Sequence, residues 1–156
     1  MPAVWIAGPA DADEVIRLLT GFRDHLGYDY PGHDAFERNV KRLLADENTE
    51  YLLAAPAKDE PAQAVCQLRF RHGIWRDGGD CLVEDVFVEG SARGAGLGRA
   101  LIETAQERAR AHGCTRMELD VNEENAAALA LYRSFGFTDR AKPGAPRDLY
   151  MRLHLD

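Results

Sequence analysis

One turn constrains this chain more than any other segment: Arg93-Gly94-Ala95-Gly96-Leu97-Gly98, followed by Arg99. It lies between an apolar run and a helical pattern. Residues 81–88 are apolar apart from Glu84 and Asp85 and read as a buried strand. Residues 96–112 carry Leu97, Leu101, Ala105 and Ala109 on one helical side and end at Gly113. Glycines at such a junction permit positive φ and let a ligand approach the backbone closely. Amides at the helix N-terminus have no acceptor inside the helix, and the dipole there favours an anion. Arg93 and Arg99 add local positive charge to a chain whose formal net charge is −7. The turn reads as a phosphate cradle, or as a helix start that merely turns tightly.

Two better-known phosphate motifs are excluded. A dinucleotide G-x-G-x-x-G starting at Gly94 needs glycine where Arg99 stands. Asp120, roughly twenty residues further on, is then a decoy for the ribose-binding acid of that motif. A P-loop needs Lys and then Ser or Thr after its second glycine, and neither follows here.

The remaining patterning supplies the elements around this junction. Residues 4–7 read as a short first strand. From Asp11 a helical face runs through Val15, Leu18, Leu19, Phe22 and Leu26, with Asp13 and Glu14 in its first turn, and Gly27 stops it. Residues 28–32 form a loop, and residues 34–45 a second helix with Phe36, Val40, Leu43 and Leu44 inward. Strands follow at 51–55 and 64–71, with turns at 56–61 and 73–80. Beyond the glycine turn come a strand at 115–121, a helix at 125–134 opened by Asn125, and strands at 135–139 and 149–155. The last alternates Leu149, Met151, Leu153 and Leu155. This order predicts an α+β fold: a mixed, mostly antiparallel central sheet with one β-α-β crossover, flanked by helices. A length of 156 residues fits one domain, 1–156.

Charge and composition narrow the partners. A net charge of −7 argues against nucleic acid and anionic membranes. It is compatible with a cationic acceptor, or with solubility alone. No run approaches the ~20 apolar residues of a membrane span. Met1-Pro2-Ala3-Val4-Trp5 carries no secretory pattern. Cys66, Cys81 and Cys114 read as buried free thiols, which makes a cytoplasmic location the expectation. His25, His33, His72, His112 and His154 show no metal-ligand spacing, so no metal is expected.

These residues together resemble the GNAT superfamily of N-acetyltransferases. The family signature R/Q-x-x-G-x-G/A is met at every fixed position by Arg93 to Gly98. The strand Val83-Glu84-Asp85-Val86-Phe87-Val88 is similar to the family's cofactor-contacting strand. Asn125, Ala128, Leu131-Tyr132 and Phe135-Gly136-Phe137 recur with the family's spacing. The resemblance implies acetyl-CoA as cosubstrate. It implies that backbone groups of Val86, Phe87 and Val88 pair with pantetheine as an added strand would. Amides of Arg93, Gly94, Ala95, Gly96, Leu97, Gly98 and Arg99 would hold the pyrophosphate. Asn125 would bond the pantetheine arm, and Tyr132 would protonate the departing thiolate. A homodimer is also implied. Arg133 either reaches the 3′-phosphate or faces water.

The amine side is less defined. An ammonium must lose its proton before it can attack a thioester. Adjacent residues on a strand face opposite sides, so Glu84 and Asp85 are expected on different faces. The triplet Val83-Glu84-Asp85 resembles that of polyamine-type members. Glu84 is therefore assigned as the base, directly or through water, and Asp85 as structural or substrate-orienting. Both carboxylates could instead satisfy backbone or arginine groups. Tyr28 and Tyr30, with Asp24 and Asp29, either wall an acceptor pocket or are solvated loop residues. Trp75 is a pocket rim, a dimer contact or simply exposed. The acceptor expected is a primary amine of a small cationic molecule. A protein lysine or α-amine, or a non-catalytic acyl-CoA sensor, stays open.

Overall fold

The computed structural model describes all residues, Met1–Asp156. It divides into two compact units, residues 1–119 and residues 120–156.

The first unit is built on a five-stranded sheet in the order β1-β2-β3-β4-β5. The strands are β1 (Ala3–Ile6), β2 (Thr49–Ala55), β3 (Ala64–Arg71), β4 (Asp80–Val88) and β5 (Arg116–Glu118). β1 to β4 are antiparallel in succession, and β5 joins β4 in parallel. Between β1 and β2 lie α1 (Ala12–His25) and α2 (His33–Leu44); α3 (Leu97–Ala111) makes the crossover from β4 to β5. The expected mixed sheet, antiparallel but for one β-α-β crossover, is therefore present.

Side-chain spacing explains which helix takes which face. Val15, Leu18 and Leu19 repeat at helical intervals on α1 and are buried with Val40 of α2, Tyr51, Leu53, Val65 and Phe87. Those four strand residues share one face of the sheet. The opposite parity, Leu52, Cys66 and Leu68, is also fully buried, and α3 packs across the sheet through Leu97, Leu101, Ile102 and Ala105. Each such aliphatic side chain removed from water contributes about 1.5–3 kcal/mol. Glu50 on β2 locks α3 in place: Arg108 donates to its two oxygens at 2.8 and 2.6 Å, and His112 Nε2 lies 2.9 Å away. His112 also stacks on Phe70, centroids 3.7 Å apart.

β5 is shorter than the expected 115–121. Its pairing with β4 covers only Asp80 to Leu82 against Arg116 to Glu118. A bulge follows at once in β4, and a bulge bends and twists its strand. The paired end is tied by charge. Asp80 is buried, with Arg116 Nε at 3.4 Å and Arg76 Nε at 3.6 Å, and Arg71 pairs with Glu118.

The second unit contains α4 (Ala126–Ser134), opened by Asn125 and closed by Gly136. Gly136 donates to Arg133 and Phe137 donates back to Tyr132, at 2.9 and 3.1 Å. That pair of bonds is a Schellman closure, and the edge-on contact of Tyr132 with Phe137 is the apolar contact that accompanies it. The strands expected at 135–139 and 149–155 do not form. A single antiparallel bridge, Arg140 with Arg147, joins these flanks. Alternating apolar residues hold a strand only beside a hydrogen-bonded neighbour. Leu149, Met151, Leu153 and Leu155 are 72%, 84%, 85% and 89% exposed.

Candidate active site

The register of β3 on β4 breaks at one residue. Cys66 faces Val86 and Gln67 faces Asp85, but the next pair is Leu68 with Val83. Glu84 is the extra residue, so strict alternation fails there. Val83 and Asp85, two residues apart, therefore pair with adjacent residues of β3, because an inserted residue resets the parity of the strand beyond it. Asp85 shares the face of Phe87 and Tyr51, the one covered by α1 and α2. Glu84 is exposed. Burial of Tyr51, with Asp85 and then Glu84 close by, raises its hydroxyl well above the ordinary tyrosine range despite Arg69. Tyr51, Gln67 and Asp85 stand side by side in one row across three strands.

The other edge of β4 is open beyond Leu82, where pairing with β5 stops. Glu89 donates to the Gln63 carbonyl at 2.9 Å at the end of the β3–β4 ladder. Alternation then makes Phe87 and Val65 the hydrogen-bonded pair. Val86 and Val88 turn their N–H and C=O groups to the open edge, and the Phe87 backbone is used by β3. Of the three residues expected to meet pantetheine through the backbone, the geometry fits Val86 and Val88 and not Phe87. The Val88 carbonyl already accepts from Arg93 Nε at 3.3 Å. The Phe87 side chain instead fills the core, stacked on Phe22 with centroids 5.3 Å apart and planes at 15°. Gly21 permits this: a Cβ there would lie 3.3 Å from the Phe87 ring.

From the end of β4 the chain passes through a single 3-10 turn, Gly90–Ala92, into the glycine segment. Gly94 and Gly96 have φ of 86° and 81°, and Gly96 immediately precedes α3. Arg93, Gly94, Ala95 and Gly96 are exposed, and Leu97 is buried as the anchor of the helix. A Cβ added at Gly94 or Gly96 would meet nothing within 4 Å. These glycines are thus needed for backbone conformation, and the space beside them is open. The arrangement suits a pyrophosphate: a helix N-terminus, its positive dipole end, and Arg93 beside it, although the Arg93 and Ala95 amides already donate to the Gly90 and Ala92 carbonyls at 3.4 and 3.2 Å.

A pocket of about 170 Å³ opens on the α1–α2 side. Leu19, Phe22, Arg23 and Leu26 come from α1 and its end, and Tyr28, Tyr30 and Pro31 from the loop. Phe36 comes from α2 and Asp85 from β4. Gly27, with φ of 81°, ends α1 in a Schellman closure and turns the chain into this loop. Tyr28 and Tyr30 do line the pocket, their rings 5.6 Å apart. Asp24 and Asp29 do not; Asp24 accepts from Arg23 instead. A larger hollow of about 390 Å³ between α2 and β3 contains no residue of β4. Trp75 is fully solvent-facing on the β3–β4 connection. Sequence reasoning did not find Phe22, Arg23 or Phe36 as pocket residues. Their spacing signals only a buried helix face, and the pocket exists because three elements converge.

In the second unit Asn125 acts as the helix cap, its Oδ1 accepting from Ala128 N at 3.2 Å. Its amide NH₂ is not used in that cap. Tyr132 lies at the other end of α4, held edge-on to Phe137 at 5.9 Å.

Comparison with known proteins agrees with this fold. Residues 14–137 match the Acetyltransferase (GNAT) family. The chain is 30% identical to an IAA acetyltransferase of Azospirillum brasilense, over 99% of this chain and 100% of that one. It is 28% identical to an aminoglycoside N(6′)-acetyltransferase type 1 of Stenotrophomonas maltophilia, covering 99% and 95%. A crystal structure from Arthrobacter sp. FB24, described as an acetyltransferase on assignment, superposes with a TM-score of 0.87. The identity there is 31%, covering 98% of this chain and 96% of that one. The chain belongs to the GNAT acetyltransferase family and is an acetyl-CoA-dependent N-acetyltransferase. None of its helices is long and apolar enough to cross a membrane.

Proposed function

We propose that the chain acetylates a primary amine of a small cationic molecule by direct attack on the thioester of acetyl-CoA. The observation that carries this reading is the position of Asp85. It is a carboxylate lining an aromatic-walled pocket, and its neighbour Val86 turns backbone groups to the open edge of β4.

Bound acetyl-CoA supplies the acetyl group as an activated thioester. Within the segment from Arg93 to Arg99, whose Arg93 and Ala95 amides already donate to Gly90 and Ala92, the remaining amides hold its pyrophosphate; Val86 and Val88 align pantetheine, and the family resemblance assigns Asn125 to the same arm. Asp85 orients the incoming ammonium. Glu84 takes its proton, directly or through water, because only the free amine is nucleophilic. The nitrogen lone pair forms the N–C bond while the Val86 N–H stabilises the developing oxyanion. The C–S bond then breaks, and Tyr132 gives its proton to the sulfur. The balance is R–NH₃⁺ and acetyl-CoA to R–NH–CO–CH₃, CoA–SH and one H⁺. The similarity of Val83-Glu84-Asp85 to polyamine-type members supports Glu84 as base. We also read residues 1–156 as one acetyltransferase domain, supported by a family match over residues 14–137 that runs from the first compact unit into the second.

The test is a panel of amines assayed for CoA release and for acetylated product. Glu84→Gln should slow turnover at neutral pH, with partial recovery at high pH as more amine is unprotonated. Full activity in Glu84→Gln, or a loss that high pH leaves untouched, removes Glu84 as the base.

A further inference from the structure

The lining of the α1–α2 pocket narrows the acceptor beyond "amine". This narrowing rests on the proposed function, in which an amine meets the thioester beside β4. The walls are rings. Phe22 is fixed by its stack on Phe87. Phe36 lies under the Arg23 guanidinium, 5.8 Å from its centroid. Tyr28 and Tyr30 form a tilted pair at the mouth, 51% and 66% exposed.

The charges are one of each sign. Asp85 is the only carboxylate among the lining residues, and Arg23 the only cation. Arg23 is committed elsewhere: Nη1 donates to the Pro31 carbonyl at 2.9 Å, and Nε and Nη2 donate to Asp24 at 3.1 and 2.9 Å. Within the lining a substrate meets one carboxylate, Asp85, with apolar ring surface around the rest of it; Glu84, the proposed base, lies outside that lining. A second ammonium inside this pocket would lose water without gaining a carboxylate, which is costly. The volume, about 170 Å³, also lies below the roughly 300–1,000 Å³ usual for small-molecule sites. That leaves room for a single ring and a short arm.

We propose that the acceptor is a singly charged arylalkyl primary amine, its ring held between Phe22, Phe36 and the Tyr28–Tyr30 pair and its nitrogen at Asp85. The pocket disfavours polycations, including polyamines and aminoglycosides. Flat rings pack against aromatic walls with a preference that aliphatic chains do not share. Exposed tyrosines at the mouth let the ring enter without unfolding the loop.

The experiment compares kcat/KM for 2-phenylethylamine, spermidine and kanamycin with the intact chain, following CoA release and acetylated product. The expected result is a preference of about tenfold or more for 2-phenylethylamine. Tyr30→Ala should raise the KM for this amine roughly two- to tenfold and leave the KM for acetyl-CoA unchanged. Phe36→Leu, which keeps apolar volume but no ring, should act in the same direction. Preference for spermidine or kanamycin overturns the substrate class and leaves amine acetylation standing. Preference for 2-phenylethylamine that neither variant weakens also overturns it, because the rings are then not the contact. Acetyl-CoA binding without turnover of any amine overturns the amine reading and this inference with it.

Discussion

Asp85 of β4 stands directly opposite Gln67 of β3, and the pair beyond them is Val83 with Leu68. The residue skipped between is Glu84. This one insertion sets up both halves of the site. It puts Asp85 on the face covered by α1 and α2, where the ring-lined pocket opens. It also comes just where β5 stops pairing, so the edge of β4 from the bulge to Val88 can receive an extended ligand.

The stack of Phe22 on Phe87 predicts a stability cost separable from catalysis. Phe87 is 7% exposed, so Phe87→Ala should destabilise by about 3–5 kcal/mol, read from urea unfolding. Its backbone pairs with β3 in either case. A loss under about 1 kcal/mol would mean that the ring is not a core element.

The Glu50 cluster predicts a pH dependence of stability. Burial pushes the Glu50 carboxyl up, but hydrogen bonds from Arg108 and His112 outweigh it and hold the group below its ordinary value of 4.5. A carboxyl depressed on folding stabilises the native state above its ordinary value, and that contribution fades as pH falls through the folded value. Glu50→Gln should therefore be less stable than the parent at pH 7, and the gap should narrow as pH drops below 4.5. Thermal unfolding across this range checks it; a constant gap would contradict the assignment.

Tyr132→Phe should separate chemistry from structure. Phenylalanine keeps the edge contact with Phe137 that closes α4, so the helix should remain formed by circular dichroism. If the hydroxyl protonates the leaving thiolate, kcat falls by roughly 10²-fold, while affinity for acetyl-CoA is retained. An unchanged kcat assigns the proton to another donor.

Much of this was legible in the residues alone. Periodicity located α1, α2 and α3 and the strands β2 to β4, because each buries residues whose spacing is written locally, and the Asn125 cap located α4. The glycine turn was legible too, since positive φ at Gly94 and Gly96 is a local demand. The bulge at Glu84 was not. A bulge is a relation between two strands, and nothing in Val83-Glu84-Asp85 alone says how Leu68 and Gln67 will pair with it. The pocket was hidden for a similar reason: Phe22, Phe36 and Asp85 are far apart in sequence and converge through packing. The alternation of Leu149, Met151, Leu153 and Leu155 was legible but over-read, because pattern alone supplies no neighbouring strand.

The central claim is that the Gly94–Gly96 turn and the open edge of β4 hold acetyl-CoA. Calorimetric titration of acetyl-CoA into the parent and into Gly96→Val tests it most directly. A Cβ at Gly96 meets no protein atom within 4 Å, and the positive φ costs a side chain there about 1–2 kcal/mol. The account predicts one-to-one binding by the parent, and a folded variant that has lost nearly all affinity because its side chain fills the space over the amides. Binding by a folded Gly96→Val with parental affinity would contradict it.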